Sequence, residues 1–273
     1  MSGTSTRGSI GRLAGRIVPP IAVLGLLIGL WYLTSHGYSS PINRNQFQPY
    51  PHDVVRKGFL ISRNLMEMLH SLWRTTQVAL IGLVLAMAIG VTLAILMSLS
   101  RTVEQTLYPY AVVLQTMPIV AITPMMIVWF GSGQMPRVSV CVLISIFPII
   151  TNSLFGLKAA DRGQRDLFRL HGAGRLTRLW KLDLPGSLPA MFTGFRISAG
   201  LSVVGAIVGE FFFKSGVQGI GTRIQLYTNR SETAKLIAAI SLTAALGISL
   251  FLIFGWFANR TTKSWRPDSS VRR

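Results

Sequence analysis

The chain has 273 residues, of which 50% are hydrophobic and only 13% charged. About a quarter of the residues in ordinary soluble domains are charged, so this composition excludes a soluble domain and indicates a membrane protein. A net charge of +18 would suggest a nucleic-acid partner in a soluble protein, but here Lys and Arg lie mostly between apolar runs, so no nucleic-acid partner is expected. The single cysteine, Cys141, excludes a disulfide framework and a thiolate metal site within one chain.

Six apolar runs are each close to the roughly 20 residues that a helix needs to cross about 30 Å of hydrocarbon. They cover residues 17–33, 76–99, 107–130, 138–157, 190–213 and 236–257. We therefore predict an all-α polytopic membrane protein with six transmembrane helices. The first run follows Arg7, Arg12 and Arg16, as a secretory signal would, but no small-x-small cleavage site follows Leu33, so a retained helix is expected.

The distribution of basic residues predicts the orientation. With the N-terminus inside, the inner segments hold 16 Lys and Arg in 71 residues, and the outer segments hold 10 in 69. This bias favours both termini in the cytoplasm and an inner or plasma membrane location. The predicted organisation is a cytoplasmic tail (1–16), a first helix (17–34), an extracytoplasmic loop (35–74), a core (75–257) containing an inner loop (161–189), and a second cytoplasmic tail (258–273).

The extracytoplasmic loop contains an amphipathic stretch from Val55 onward. Phe59, Met66, Leu69 and Trp73 recur in it at helical spacing with charged residues between them. The pattern predicts an interfacial helix, with an outer segment packed on the helix bundle as the alternative.

Prolines interrupt two of the apolar runs. Pro118 and Pro124 in the third run remove backbone donors, and Pro148 with Asn152 predicts a second interruption in the fourth. Because freed carbonyls at membrane depth need partners or a water-filled cavity, Pro118, Pro124 and the following Trp129 are candidates for lining a translocation pathway.

Small and ionisable residues in the fifth run supply further pathway candidates. Ser202 and Gly209 belong to a stripe of small residues, which also includes Ser198 and Gly205, and which allows either close helix packing or a pathway lining. Glu210 and Arg196 are intramembrane ionisable residues. We expect Arg196 to snorkel to the inner interface. Glu210 is expected at the outer mouth of the pathway, where it could order the glycine-rich loop of residues 216–221, with a simple interfacial pair to Lys214 as the alternative.

Residues 161–189, named here the basic segment, are both charged and apolar: Leu167, Phe168, Leu170, Leu176 and Trp180 lie among arginines. A purely solvated loop would not need these apolar side chains, so the segment is expected to bind a partner. No Walker-type phosphate loop occurs in the chain, and the four histidines have no ligand spacing. We therefore expect no enzymatic activity and no cofactor in this chain, with any ATP bound by a partner subunit.

The basic segment resembles the cytoplasmic signature E-A-A-x3-G-x9-I-x-L-P of permease subunits of binding-protein-dependent ABC importers. Asp166 keeps the acid, and Leu167 and Phe168 replace the two alanines. The remaining matching positions are Gly172, with Ala173 after it, Leu182, Leu184 and Pro185. Other motifs, such as Trp129-Phe130-Gly131 and Gly194-Phe195-Arg196, are similar to the nitrate/sulfonate/taurine branch, which includes importers of pyrimidine precursors and riboflavin.

The resemblance implies a type I importer permease (MetI-like) fold and an ATPase-coupling role for the signature residues named above. It also implies three protein partners: ABC ATPase subunits, a second permease copy in a homodimer or pseudo-dimer, and an extracytoplasmic solute-binding protein. A stand-alone secondary transporter or channel is the alternative function. It would need ion-coupling acids inside the membrane, for which only Glu210 qualifies.

Overall fold

The computed structural model describes residues 7–37, 40, 46–131, 133–213 and 218–262, and of residues 7–17 and 262 it describes the backbone alone. The described residues form helices without strands. The helices are α1 (Arg7–His36), α2 (Pro51–Val54), α3 (Ser62–Leu99), α4 (Arg101–Thr116), α5 (Ile119–Phe130), α6 (Met135–Lys158), α7 (Arg162–Leu170), α8 (Arg175–Arg178), α9 (Leu184–Phe212), α10 (Ile220–Asn229) and α11 (Thr233–Thr262), with two π-helical turns at Val55–Leu60 and Leu179–Asp183.

Five helical stretches are long and apolar enough to cross a membrane, and helices α4 and α5 form a sixth span if they are taken together. The all-helical, six-span prediction is thus confirmed in outline. The third span is not one helix, however, because α4 and α5 meet at an angle of 103°. Met117 and Pro118 are both extended at the break, as a residue before proline and a proline at a helix start commonly are.

The prediction of an interruption in the fourth run was wrong. Helix α6 runs unbroken through Pro148. The Asn152 side-chain amide donates to the carbonyl of Pro148 at 2.8 Å, and the Thr151 hydroxyl donates to the carbonyl of Phe147 at 3.0 Å, so both polar side chains bond within the helix. A proline can therefore remain within a packed helix whose neighbours hold it in place.

Several helix ends also differ from the predicted bounds. Helix α1 starts at Arg7, inside the expected tail. Helix α3 starts at Ser62, so the amphipathic residues Met66, Leu69 and Trp73 belong to the same helix as the second apolar run and not to a separate interfacial helix. Hydropathy marks where a helix is apolar, and polar residues can continue the same helix beyond that point.

By contacts the chain divides into two units, of which the first comprises Met1–Glu67 and Leu226–Ala239. In this unit the Trp31 indole donates to the carbonyl of Pro49 at 3.0 Å, and the rings of Tyr32, Tyr50 and His52 stack with centroids 5.2–5.9 Å apart. These contacts hold residues 49–52 against the C-terminal end of α1. Gly58 lies against Ala238 so closely that any side chain at position 58 would collide with it.

The second unit, Met68–Gln225 and Ile240–Arg273, contains a core in which α6 packs between α3 and α9. Small residues make the two approaches possible. Cys141 of α6 lies against Gly82 of α3 on one side and Gly205 of α9 on the other, and a Cβ at position 205 would lie 2.8 Å from the Cα of Cys141. The Ser198 hydroxyl also donates across to the carbonyl of Ser145 at 2.6 Å. Backbone proximity of this kind stabilises helix pairs where lipid removes the hydrophobic driving force.

We predict that Gly205→Ala lowers the free energy of unfolding of the detergent-solubilised protein by about 1–3 kcal/mol, because the added methyl overlaps the backbone of α6. Gly200→Ala is the matched control on the same helix, since nothing lies within 4 Å of a Cβ there. Thermal melts of both variants give the comparison. Equal stability of the two variants would contradict the packing described for α6 and α9.

Candidate functional site

The basic segment begins with a capped helix. The Asp161 carboxylate accepts a hydrogen bond from the backbone N–H of Gly163 at 2.9 Å, which satisfies one of the free donors at the start of α7. Helix α7 follows the end of α6 after a connection of residues 159–161 only. The short connection and the cap fix where α7 begins.

Helix α7 ends in a Schellman motif centred on Gly172. The N–H of Ala173 donates to the carbonyl of Phe168 at 2.9 Å, and that of Gly172 donates to the carbonyl of Arg169 at 3.0 Å. Gly172 has a φ of 66°, in the left-handed region that favours glycine. This geometry gives a physical reason for a glycine four residues after Phe168 in the signature.

A buried acid, Asp183, ties the basic segment together. Its side chain is 6% exposed, it accepts from Nε of Arg178 at 3.1 Å, and it lies 3.5 Å from Nη2 of Arg165. Arg165 Nη2 also donates to the carbonyl of Leu157 at the end of α6, at 3.2 Å. Arg165 is thus held against Asp183 and the end of α6. The sequence analysis missed Asp183, although an acid among the apolar residues Leu182 and Leu184 was a signal of burial.

The signature residues divide between two places. Asp166, Phe168 and Ala173 line a small cavity of about 280 Å³ between α7 and α8. Leu167 is 57% exposed beside it. Leu182, Leu184 and Pro185 are half-buried at the junction of the π-helical turn and α9.

The rule that helices usually end before a proline predicts that a short helix stops at Pro185, before the fifth run, and this prediction is wrong. Pro185 lies in the first turn of α9, and the chain is helical from Arg175 to Phe212. The π-helical turn of residues 179–183 precedes it, so the missing N–H of the proline falls where the hydrogen-bond register changes.

A second polar cluster surrounds Glu210, which is fully buried near the other end of α9. The Thr75 hydroxyl donates to Oε1 at 2.7 Å, and the N–H of Gly221 donates to Oε2 at 2.6 Å. The N–H of Ile220 in turn donates to the Thr75 oxygen at 2.8 Å. Glu210 therefore binds Gly221 directly and Ile220 through Thr75, at the start of α10. The ordering of the whole loop of residues 216–221 stays a prediction, because residues 216 and 217 lie outside the described residues.

Two glycines make room for the Glu210 carboxylate. A Cβ at Gly219 would collide with the carboxylate, and one at Gly221 would lie 2.9 Å from Oε2 and 3.1 Å from the carbonyl of Ile207. The glycine-rich sequence thus serves close approach to a buried acid. The alternative pair with Lys214 lies outside the described residues.

Arg137 completes this cluster, and the sequence analysis assigned it no role. It is 2% exposed, and its Nε and Nη2 donate to the carbonyl of Phe213 at 3.0 and 2.6 Å, which places a cation at the C-terminus of α9. Arg137 also interacts electrostatically with Glu210. Its position directly before the fourth apolar run was the available signal.

The predicted pathway residues lie in two environments. Pro118, Pro124 and Trp129 are exposed on the bent pair α4–α5. Ser202, Gly209 and Glu210 are buried, with Gly209 packed against the backbone of Arg137. The stripe of small residues on α9 therefore serves helix packing, which was one of its two expected roles.

Arg196 lies beside Gly255 with its guanidinium 3.8 Å from the ring centroid of Phe251. Among the described residues it forms no ion pair, so an aromatic face takes the place of a carboxylate. No group of three His, Cys, Asp or Glu side chains in the described part of the chain is arranged to hold a metal ion.

Comparison with known proteins covers most of the chain. Residues 57–263 match the family described as binding-protein-dependent transport system inner membrane component. The formylaminopyrimidine transport permease protein ThiX of Halalkalibacterium halodurans is 31% identical over 82% of this chain and 86% of its own length. The taurine transport system permease protein TauC of Escherichia coli is 27% identical over 88% and 87%. A structure of the MetNI methionine ABC transporter in inward-facing conformations has a TM-score of 0.64 at 17% identity, covering 74% of this chain and 100% of that one.

We predict that Gly172→Ala destabilises the end of α7 by about 1–2 kcal/mol, because the left-handed conformation of residue 172 disfavours a Cβ. The added methyl group meets no neighbouring atom, so steric overlap does not contribute. Hydrogen exchange of the peptide covering residues 165–178 should accelerate. Gly174→Ala, at a position with a φ of −67° and open space, serves as the control and should exchange like the wild type.

We predict that Thr75→Val accelerates hydrogen exchange of residues 218–222 by roughly tenfold or more, since it leaves Glu210 and the N–H of Ile220 each short of a buried partner. Thr76→Val is the control because the Thr76 hydroxyl bonds only within its helix, to the carbonyl of Leu72. Unchanged exchange in Thr75→Val would show that the hydroxyl does not hold α10.

Proposed function

We propose, from the premise that the chain belongs to the family of binding-protein-dependent transport system inner membrane components, that it is the membrane permease subunit of an ABC importer. In this role it forms the pathway for a small solute, while partner ATPase subunits bind and hydrolyse ATP. A solute-binding protein delivers the solute outside, and a second copy of the chain completes the membrane core. Two relatives named for the transport of formylaminopyrimidine and of taurine support a small polar molecule as the solute.

The observation that carries the proposal is an exposed apolar edge on a firmly anchored basic segment. The apolar side chains of Leu170, Leu176 and Trp180 are 82%, 64% and 66% exposed, and all three lie outside the six apolar runs. The segment that presents them is fixed by the Asp161 cap, the Gly172 turn and the Asp183 ion pairs. An apolar edge on a rigid support is what a partner needs if it is to move the helices rather than bend a loop.

The same segment supports the orientation with both termini inside. It carries six Lys and Arg between Asp161 and Asp183 against three acids. Basic connections remain on the cytoplasmic side, where the ATPase subunits of an importer act. The Glu210 cluster then lies near the outer face, about 39 Å along α9 from its start at Leu184.

The pathway itself is proposed between the exposed face of the bent pair α4–α5 and the second copy. Pro118, Pro124 and Trp129 lie on this face, whose break at Met117–Pro118 leaves backbone carbonyls without helical donors. Ser202, Gly209 and Glu210 act behind it by holding α6, α9 and α10 in register.

A secondary transporter is the less favoured function. It would need an acid that gains and loses a coupling ion within the membrane. Glu210 is the candidate, and its two oxygens already accept from Thr75 and Gly221 in a fully buried site. Such a carboxylate is suited to holding structure.

Uptake into membrane vesicles tests the function directly. We predict that solute uptake requires ATP together with the co-expressed ATPase, and that Phe168→Asp abolishes uptake while the variant remains in the membrane. The charged side chain should weaken ATPase association by at least roughly tenfold, because it replaces an apolar anchor.

Gln164→Asp, an equal charge change at an exposed position of the same helix, is the matched control and should still co-purify with the ATPase. ATP-independent uptake driven by an ion gradient would support the secondary transporter instead. Undiminished co-purification of Phe168→Asp would remove Phe168 from the contact.

A further inference from the structure

The charges of the basic segment are unevenly satisfied. Asp183 engages Arg165 and Arg178, and Asp161 is occupied as the cap of α7. Four exposed cations, Arg162, Arg169, Arg175 and Lys181, form no ion pair with any described residue. A protein that buries one acid beneath two arginines and leaves four other cations exposed presents a surface suited to a negatively charged partner.

Two of the unpaired arginines line the cavity between α7 and α8. Its wall contains Arg165, Asp166, Phe168, Arg169, Ala173, Arg175 and Arg178. The Asp183 carboxylate offsets Arg165 and Arg178, and Asp166 offsets at most one of the remaining two guanidinium groups. The cavity therefore keeps a positive excess, provided by planar groups that bind carboxylates in a two-pronged geometry.

The size of the cavity favours a side chain over a free small molecule. Its volume is about 280 Å³, below the roughly 300–1,000 Å³ of ordinary ligand pockets. Exposed Leu167 and Leu170 lie on the same short helix as Arg169, and exposed Leu176 on the helix of Arg175. A charged cavity with an apolar border resembles the centre of a protein interface, where a buried charge pair is shielded by surrounding contacts.

We propose that this cavity receives an Asp or Glu side chain of the ATPase subunit, held between Arg169 and Arg175. The inference rests on the proposed function for the identity of the partner, and it adds the chemistry of the contact. The Schellman turn at Gly172 sets the spacing of the two arginines, since it lies between the helices that carry them. Asp183 keeps the floor of the cavity in place by binding the other two.

The test measures binding of the purified ATPase to the full-length permease in nanodiscs of phosphatidylcholine, at low and high salt. Arg169→Glu and Arg175→Glu should each weaken binding by roughly tenfold or more and reduce its salt dependence. Arg175→Lys should retain part of the affinity, because a single ammonium replaces the two-pronged contact. Lys181→Glu is the matched control: it makes the same charge change at an exposed cation outside the cavity, and should have a much smaller effect.

A photo-reactive residue at Ala173, inside the cavity, should crosslink to an ATPase peptide that contains an acid. Equal loss of binding in Arg175→Glu and Lys181→Glu would overturn the proposal and indicate a diffuse charge effect. Crosslinking to lipid, with Arg175→Glu losing retained anionic phospholipid but not ATPase, would assign the cavity to the membrane surface. A wild-type permease that does not bind the ATPase would instead refute the proposed function, and the cavity proposal with it.

Discussion

The close approach of helices α6 and α9 is the constraint on which the other contacts depend. Gly205 and Gly209 bring the backbone of α9 against Cys141 and Arg137, and the hydrogen bond from Ser198 to Ser145 fixes the register of the pair. In a bilayer such proximity contributes through dispersion contacts and interhelical hydrogen bonds, because lipid already solvates apolar side chains. With the register fixed, Arg137 donates to the carbonyl of Phe213 at one end of the helix pair. At the other end, Arg165 of α7 donates to the carbonyl of Leu157.

Each end of this helix pair contains one buried acid, and the two acids are satisfied differently. Glu210 accepts from a hydroxyl and a backbone N–H, with Arg137 close by, and so it fastens a loop and the start of a helix. Asp183 is bound by two arginines from neighbouring short helices. Removing the partners of a buried acid leaves its charge uncompensated, so both acids favour the arrangement seen. Neither forms part of an exposed surface, and the exposed groups around Asp183 are the unpaired cations and apolar side chains of the basic segment.

The sequence was informative where a local rule decided the structure. Hydropathy located the spans, the signature spacing located the turn at Gly172, and the proline rule located the break before Ile119. The same rule was wrong at Pro148 and Pro185, because packing and a change of hydrogen-bond register kept those helices intact. Arg137 and Asp183 could not be assigned from spacing. The partner of Arg137, the carbonyl of Phe213, is more than seventy residues away in the sequence. One partner of Asp183, Arg165, lies on the other side of the turn at Gly172. Burial of a charge depends on such distant partners, which one-dimensional periodicity does not contain.

The unbroken helical path from Arg175 to Phe212 has a mechanical consequence. At 1.5 Å per residue, its 38 residues make a rod of roughly 57 Å. A lever of this length turns a tilt of a few degrees at its start into a displacement of several ångströms at its far end, near Phe213 and Glu210. The wider turn at Leu179–Asp183 has a looser hydrogen-bond pattern than the rest of this rod, so torsional stress applied near Arg175 would first be absorbed there.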